Sequence, residues 1–177
     1  DMAGSKTYGV ELDSISGRIA QQLYQNASIS INGFEKVQMP DSFFDVVVGN
    51  VPFGDFKVRD KRYDKNNFLI HDYFFAKAID KVRPGVLALI TSNGISGGTF
   101  DKRDNKVRKY IAQRCDLIGA IRLPNNTFSQ NAGTDITTDV LFFQKLDRQR
   151  STDVEMPDWV DVDIIHENDH VNAAGET

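Results

Sequence analysis

Cysteine is nearly absent from the chain: Cys115 is the single one among 177 residues. That excludes a disulfide framework and any zinc site built from several cysteines. Long apolar runs are missing too, since none approaches the roughly 20 residues that span a bilayer. The opening DMAGSKTYG has neither the basic region nor the apolar stretch of a signal peptide. Together these absences predict a cytoplasmic chain with no membrane segment. Lysine and arginine are missing from residues 151–177, where eight acids stand without a basic partner. No internal repeat and no low-complexity tract is present.

What remains has the composition of a globular protein, 40% hydrophobic and 26% charged. The length suits one domain, large enough to bury a core without covalent staples. The net charge of −4 conceals an asymmetry, because residues 1–150 hold 21 basic and 17 acidic groups. A mildly basic body with an acidic tail is a modest pointer to a polyanionic partner.

Short apolar runs alternate with amphipathic stretches. Tyr8–Leu12 reads as a strand, followed by a helix capped by Asp13 or Ser14 with Ile15, Ile19 and Leu23 on one face. Ile29–Ile31 is a short strand, and Phe43–Gly49 is a β-branched run of the kind covered on both faces. A helix is predicted over about 68–82, buried through Phe74, Phe75, Ala78, Ile79 and Val82 and stopped by Arg83-Pro84-Gly85. Val86–Thr91 is a strand. A third helix, capped by Asp101 or Asp104, places Val107, Tyr110, Ile111 and Cys115 on one face. Leu117–Leu123 and Val140–Lys145 complete the strands, and the short loop connection between them predicts that one runs antiparallel. Alternation in this order implies an α/β fold, a mostly parallel sheet with helices on both faces. The division expected is a core over 1–147 and a weakly structured acidic extension over 148–177.

Ligands of open α/β sheets bind beyond the carboxyl ends of the strands. That rule selects Glu11 and Asp13, then Asn50 to Gly54, then Thr91 to Gly94. Asn50 offers a carboxamide oxygen and Val51 a backbone carbonyl, while Pro52 keeps the residue before it extended. Two acceptors converging on a primary amine would hold both its hydrogens and leave its lone pair more nucleophilic. Phe53 supplies a flat face for a planar heterocycle. An extruded base with an exocyclic amine has these features.

Asn50-Val51-Pro52-Phe53 after Phe44-Asp45-Val46-Val47-Val48-Gly49 resembles the Asn-Pro-Pro-Tyr/Phe motif of adenine-specific DNA amino-methyltransferases. Tyr8 to Asp13 resembles that family's second strand, and Asp72 to Ala78 with Arg83 to Leu87 its following helix and strand. Ile121 to Phe128 and Thr138 to Phe143 are similar to modification subunits of type I restriction systems, and to methylase modules of large mobile-element proteins carrying helicase domains. The resemblance covers about residues 8–146. It implies a Rossmann-like fold, S-adenosylmethionine as cofactor, and DNA as partner, with target-recognition or helicase domains elsewhere in a parent protein. Glu11 would bind the cofactor ribose, and Glu35 would lie near its adenine, although the family usually has Asp there. Asn50, Val51 and Pro52 would hold the target amine, Phe53 would stack on the base, and Phe128 would pack against it.

Two departures stand out. Val51 replaces the usual proline, where only the backbone carbonyl is required. The family's first strand and its Gly-rich loop, which encloses the methionine end of the cofactor, have no counterpart in the sequence. The expectation is therefore a fragment of the catalytic domain, inactive alone and able to self-associate through an exposed sheet edge. A non-catalytic scaffold, or a methyltransferase of RNA or protein glutamine, stays open as an alternative.

The basic segment Lys57, Arg59, Lys61, Arg62 and Lys65 leaves the base pocket, where phosphates would pass; Lys57 and Arg59 are its first candidates for DNA contact. Lys102 to Lys109 reads as a solvated face. His71 beside Asp72 is read as structural because helix neighbours do not face each other. Gly94, Gly97 and Gly98 read as a flexible hairpin, Cys115 as core, and His166 and His170 as tail residues rather than metal ligands.

Overall fold

The computed structural model describes residues 4–92, 105–124, 127 and 137–161. Strand β1 (Tyr8–Glu11) leads into helix α1 (Ser14–Leu23), then β2 (Ser28–Ile31) and a 3₁₀ turn over Phe34–Lys36. Strand β3 (Phe44–Asn50) is followed by a loop with a second 3₁₀ turn, then α2 (Ile70–Lys81) and β4 (Val82–Ser92). Helix α3 (Lys106–Ala112), β5 (Cys115–Leu123), β6 (Thr138–Lys145) and a last 3₁₀ turn over Asp158–Val160 complete the order.

The strands form two sheets: a parallel pair β1–β2, and a four-stranded sheet in the order β3-β4-β6-β5. β3 and β4 pair in parallel, while β6 runs antiparallel to both β4 and β5. β3, β4 and β5 therefore share one direction and β6 alone reverses, as the direct β5–β6 connection predicts. Tyr8 joins the two sheets at their amino ends, its ring 5.6 Å from Phe43 and 5.4 Å from Phe44.

Helix α1 begins where the sequence suggests, because the Asp13 carboxylate accepts from the N–H groups of Ile15 (3.1 Å) and Ser16 (2.7 Å). Its apolar stripe is not buried, however. Ile15, Ile19 and Leu23 are 60%, 53% and 70% exposed, and it is Gly17 that faces Ile31 of β2. The expectation of a two-sided cover for β3 also fails, since Val46 and Val48 are 57% and 72% exposed. Both departures mark faces that no described residue covers, and β1 and β3 also pair on one side only among the described residues.

The core lies instead under α2, which is buried on nearly every side. Phe75, Ile79, Leu87 and Phe143 are all fully enclosed. Arg83-Pro84-Gly85 does not form a turn outside the elements. The chain passes straight from α2 into β4 at Val82, and these residues open the strand. The pairing with β3 is irregular between Phe44 and Val46, and the Asp45 carbonyl comes so close to Gly85 that a β-carbon there would sit 2.1 Å away. Glycine is required at that approach.

Cys115 is not on α3 but is the first residue of β5, fully buried. Asp101 and Asp104, named as caps, lie outside the described residues, and Asn105 precedes the helix without a side-chain cap bond. The stretch after Lys145 also differs from expectation. Trp159 packs on Phe143, with ring centroids 6.1 Å apart, and Val160 is fully buried. The Val160 carbonyl accepts from Nε of the buried Arg108 at 2.6 Å. Arg150 donates to the carbonyls of Ala112 and Cys115 and pairs with Asp116. Residues 146–161 thus dock on the body, because an apolar pair and a buried guanidinium offset the acidic composition. Among the described residues, no helix is long and apolar enough to cross a membrane.

Candidate functional site

The candidate residues follow strand ends. Glu11 closes β1, Glu35 lies in the turn after β2, and Asn50 closes β3. The amino ends of β1 and β3 meet at Tyr8, Phe43 and Phe44.

Asn50 is exposed, while Val51 next to it is only 2% exposed and donates its N–H to the Ile90 carbonyl at 3.0 Å. The buried side chain and this bond anchor the turn to β4. Pro52 is half-buried and Phe53 sits at the surface with 36% of its area open. Gly54 follows at φ 155°, and the Phe56 ring approaches within 2.7 Å of where a β-carbon would stand. The turn therefore shows an amide and a ring to solvent while its middle is pinned beneath.

One oxygen of Glu11, Oε1, accepts from the Asp13 N–H at 2.9 Å. The helix-start role and a ligand role are compatible, because the carboxylate's other oxygen has no partner among the described residues. Glu35 folds its carboxylate over Gly33, whose missing side chain makes room. Lys57 is exposed, and its Nζ donates to Asn67 Oδ1 at 2.6 Å. Arg62 is also engaged, by Asp41 at 2.6 Å and Asp80 at 2.8 Å. Arg59, Lys61 and Lys65 are exposed and make no ion pair among the described residues. Phe128 lies outside the described residues, as do Gly94, Gly97, Gly98, His166 and His170. His71 and Asp72, expected not to face each other, bring Nε2 and Oδ1 within 3.4 Å in the first turn of α2, both buried.

The residue pattern had a further group that was not singled out. Tyr73, Lys77 and Lys81 recur every fourth residue on one face of α2, and all three are buried. Lys77 Nζ pairs with Asp60 at 3.1 Å, and the Tyr73 hydroxyl donates to the same carboxylate at 2.9 Å. Burial alone would raise the Asp60 pKa, but these two donors outweigh it and hold the carboxyl below its ordinary value. Asp41 behaves alike under Lys81 and Arg62. Cys115 goes the other way, its thiol pushed up to about 12 by burial.

Parallel strands with one reversed strand, joined by helices and carrying polar groups at their carboxyl ends, place the chain in the Rossmann-like α/β class. A structure of an S-adenosylmethionine-dependent methyltransferase from Methanosarcina mazei superposes with a TM-score of 0.55 at 14% identity, over 81% of this chain and 83% of that one. The M protein of the type I restriction enzyme EcoKI gives 0.57 at 19% identity, over 81% of this chain and 32% of that one. A chain from a type I restriction–modification assembly gives 0.62 at 18% identity, over 80% and 31%. In sequence, Defense against restriction protein B of Escherichia phage P1 is 36% identical over 148 residues. The chain spans 6% of that relative's length and about a third of each type I chain. Residues 7–171 match the N-6 DNA methylase family, and the chain belongs to it.

Proposed function

We propose that the chain is part of the catalytic core of a methyltransferase that carries the methyl group of S-adenosylmethionine to the exocyclic amine of adenine in DNA. The observation that carries this reading is the Asn50-Val51-Pro52-Phe53 turn. It stands at the end of a parallel strand, pinned by buried Val51 and open at Asn50 and Phe53.

The donor set fits the nucleoside end of the cofactor. Glu11 keeps a carboxylate oxygen for a ribose diol, and the Glu35 turn lies at the end of the neighbouring strand. When bound, the cofactor supplies an electrophilic methyl on a sulfonium. The Asn50 amide oxygen and the Val51 carbonyl accept the two amine hydrogens and orient the nitrogen lone pair. Phe53 stacks on the base. Catalysis rests on positioning, with no covalent enzyme intermediate.

The methionine half requires further structure. Among the described residues β1 and β3 each pair on one side only, which leaves an edge that a further strand could join. A target-recognition domain would supply sequence reading, and the exposed Arg59, Lys61 and Lys65 would meet phosphates on the way to the pocket.

In the full-length protein, Asn50→Ala should abolish methylation of DNA while cofactor affinity stays within about threefold. Phe53→Ala should weaken binding of a flipped-out adenine by about 1–3 kcal/mol, the worth of one stacked base. Unchanged turnover in the first variant would remove the base-pocket assignment.

A further inference from the structure

Two lysines are buried one helical turn apart on α2, and they reach different parts of the chain. Lys81 Nζ donates to the Met39 carbonyl at 2.6 Å and to Asp41 at 2.7 Å, in the approach to β3. Lys77 reaches the other way. Its Nζ donates to the Glu35 carbonyl at 3.3 Å and to Asp60 at 3.1 Å, and lies 5.1 Å from the centre of the Phe34 ring. These contacts join residues 42 and 17 positions apart in sequence.

Each end of the Lys77 contact meets a segment of the proposed site. The Phe34–Lys36 turn has no side-chain cap and closes on two bonds of its own, Lys36 N–H to Gly33 at 3.0 Å and Val37 N–H to Phe34 at 3.3 Å. The Lys77 ammonium ties its backbone to the body. Asp60 organises the loop that leaves Asn50–Phe53. Its carbonyl accepts from Tyr63 at 2.8 Å and Asp64 at 2.9 Å, its N–H donates to Asp64 Oδ1 at 2.9 Å, and its carboxylate accepts from Arg62 N–H at 3.2 Å. The Tyr73 hydroxyl holds the same carboxylate from α2. A well-packed apolar side chain would hold α2 in the core without the desolvation cost of an ammonium. It would not grip a backbone carbonyl and a carboxylate at once.

We propose that Lys77 and Asp60 are positioning residues that lock the Glu35 turn to the loop following the Asn50–Phe53 turn. The nucleoside end of the cofactor and the target base are thereby held by one connected frame. This rests on the reading under Proposed function and extends it to residues that touch neither ligand. Lys77 acts through the backbone of Glu35, and Asp60 through the turn it nucleates.

Lys81 provides the control, since it makes similar contacts on the same helix away from the Glu35 turn. In this chain, amide hydrogen exchange should quicken at Lys36 and Val37 in Lys77→Met, and should not do so in Lys81→Met. In the full-length protein, Lys77→Met should weaken binding of S-adenosylhomocysteine about tenfold by calorimetry. Its kcat at saturating cofactor should stay within about twofold, and Lys77→Arg should recover most of the affinity. Lys81→Met should lose thermal stability comparably yet keep cofactor affinity within about twofold. Asp60→Asn, which preserves volume, gives the same readout should Lys77→Met not fold.

Equal loss of affinity in the Lys81 and Lys77 variants, or unchanged affinity and exchange in Lys77→Met and Asp60→Asn, overturns the proposal. A full-length wild-type protein that binds no S-adenosyl compound refutes the reading of the site, and this inference with it. A wild type that binds, with Lys77 variants unaffected, refutes the positioning role alone.

Discussion

Asp60 and Asp41 are the two acids on which the loops around α2 hang, and each is held in its charged form by a buried lysine. In both, burial pushes the carboxyl pKa up, and hydrogen bonds from Lys77 and Tyr73, or from Lys81 and Arg62, bring it below the ordinary 3.8. A group with a depressed folded-state pKa adds stability above its unfolded value, and that stability disappears as pH falls through the folded value. The protein should therefore lose melting temperature on acidification from about pH 4 downward. In Asp60→Asn the loss over that window should be smaller, because the variant has no carboxylate to protonate there. Scanning calorimetry across the range checks this, and an identical pH slope in the variant and the wild type would show that Asp60 does not carry the linkage. Sequence reasoning missed both lysines because charge normally signals solvent. The informative feature was their spacing from Tyr73, which puts them on a buried face.

At the scale of elements, the carboxyl-terminal turn is held more firmly than its eight acids suggest. Val160 is sealed in the core and Trp159 covers Phe143. Trp159→Ala should cost about 2 kcal/mol, less than a fully buried tryptophan would, and so lower Tm by about 4–8 °C. Deleting residues 151–177 should cost at least as much, since Arg108 then loses the Val160 carbonyl. A truncated chain that melts at the wild-type temperature would return the segment to a free tail. Most strand and helix starts were legible locally: Asp13 caps α1, and the β-branched run before Asn50 is β3. The candidate turn was legible for the same reason, because its strand, proline and ring are contiguous. What could not be read locally was cover. Val46 and Val48 look like a buried strand and Ile15, Ile19 and Leu23 like a buried stripe, yet burial depends on what lies opposite. Arg83-Pro84-Gly85 reads as a stop signal, but the tight approach of the Asp45 carbonyl to Gly85 places it inside a strand.

For the molecule as a whole, the division into two sheets decides what this chain can do alone. Among the described residues β1 and β3 each offer a row of unpaired backbone groups, and the side chains near them, Val46, Val48, Ile15, Ile19 and Leu23, are apolar and exposed. Free edges of this kind recruit another strand, and a second copy of the chain is the partner always at hand. Sedimentation of the isolated 177-residue chain should show concentration-dependent dimerisation. Val46→Lys with Val48→Lys should suppress it by placing charge along the edge. The same gap limits chemistry. In the proposed site Glu11 and the Glu35 turn would meet ribose and adenine, but no described residue encloses a methionine moiety, and a misplacement of about 1 Å can reduce rate on the order of a hundredfold. Calorimetry on the isolated chain should accordingly detect weak S-adenosylmethionine binding or none, and incubation with DNA should yield no methyl transfer. Binding in the low micromolar range by a monomeric chain would mean that the two sheets already form a complete site, and the additional strand would then have no role.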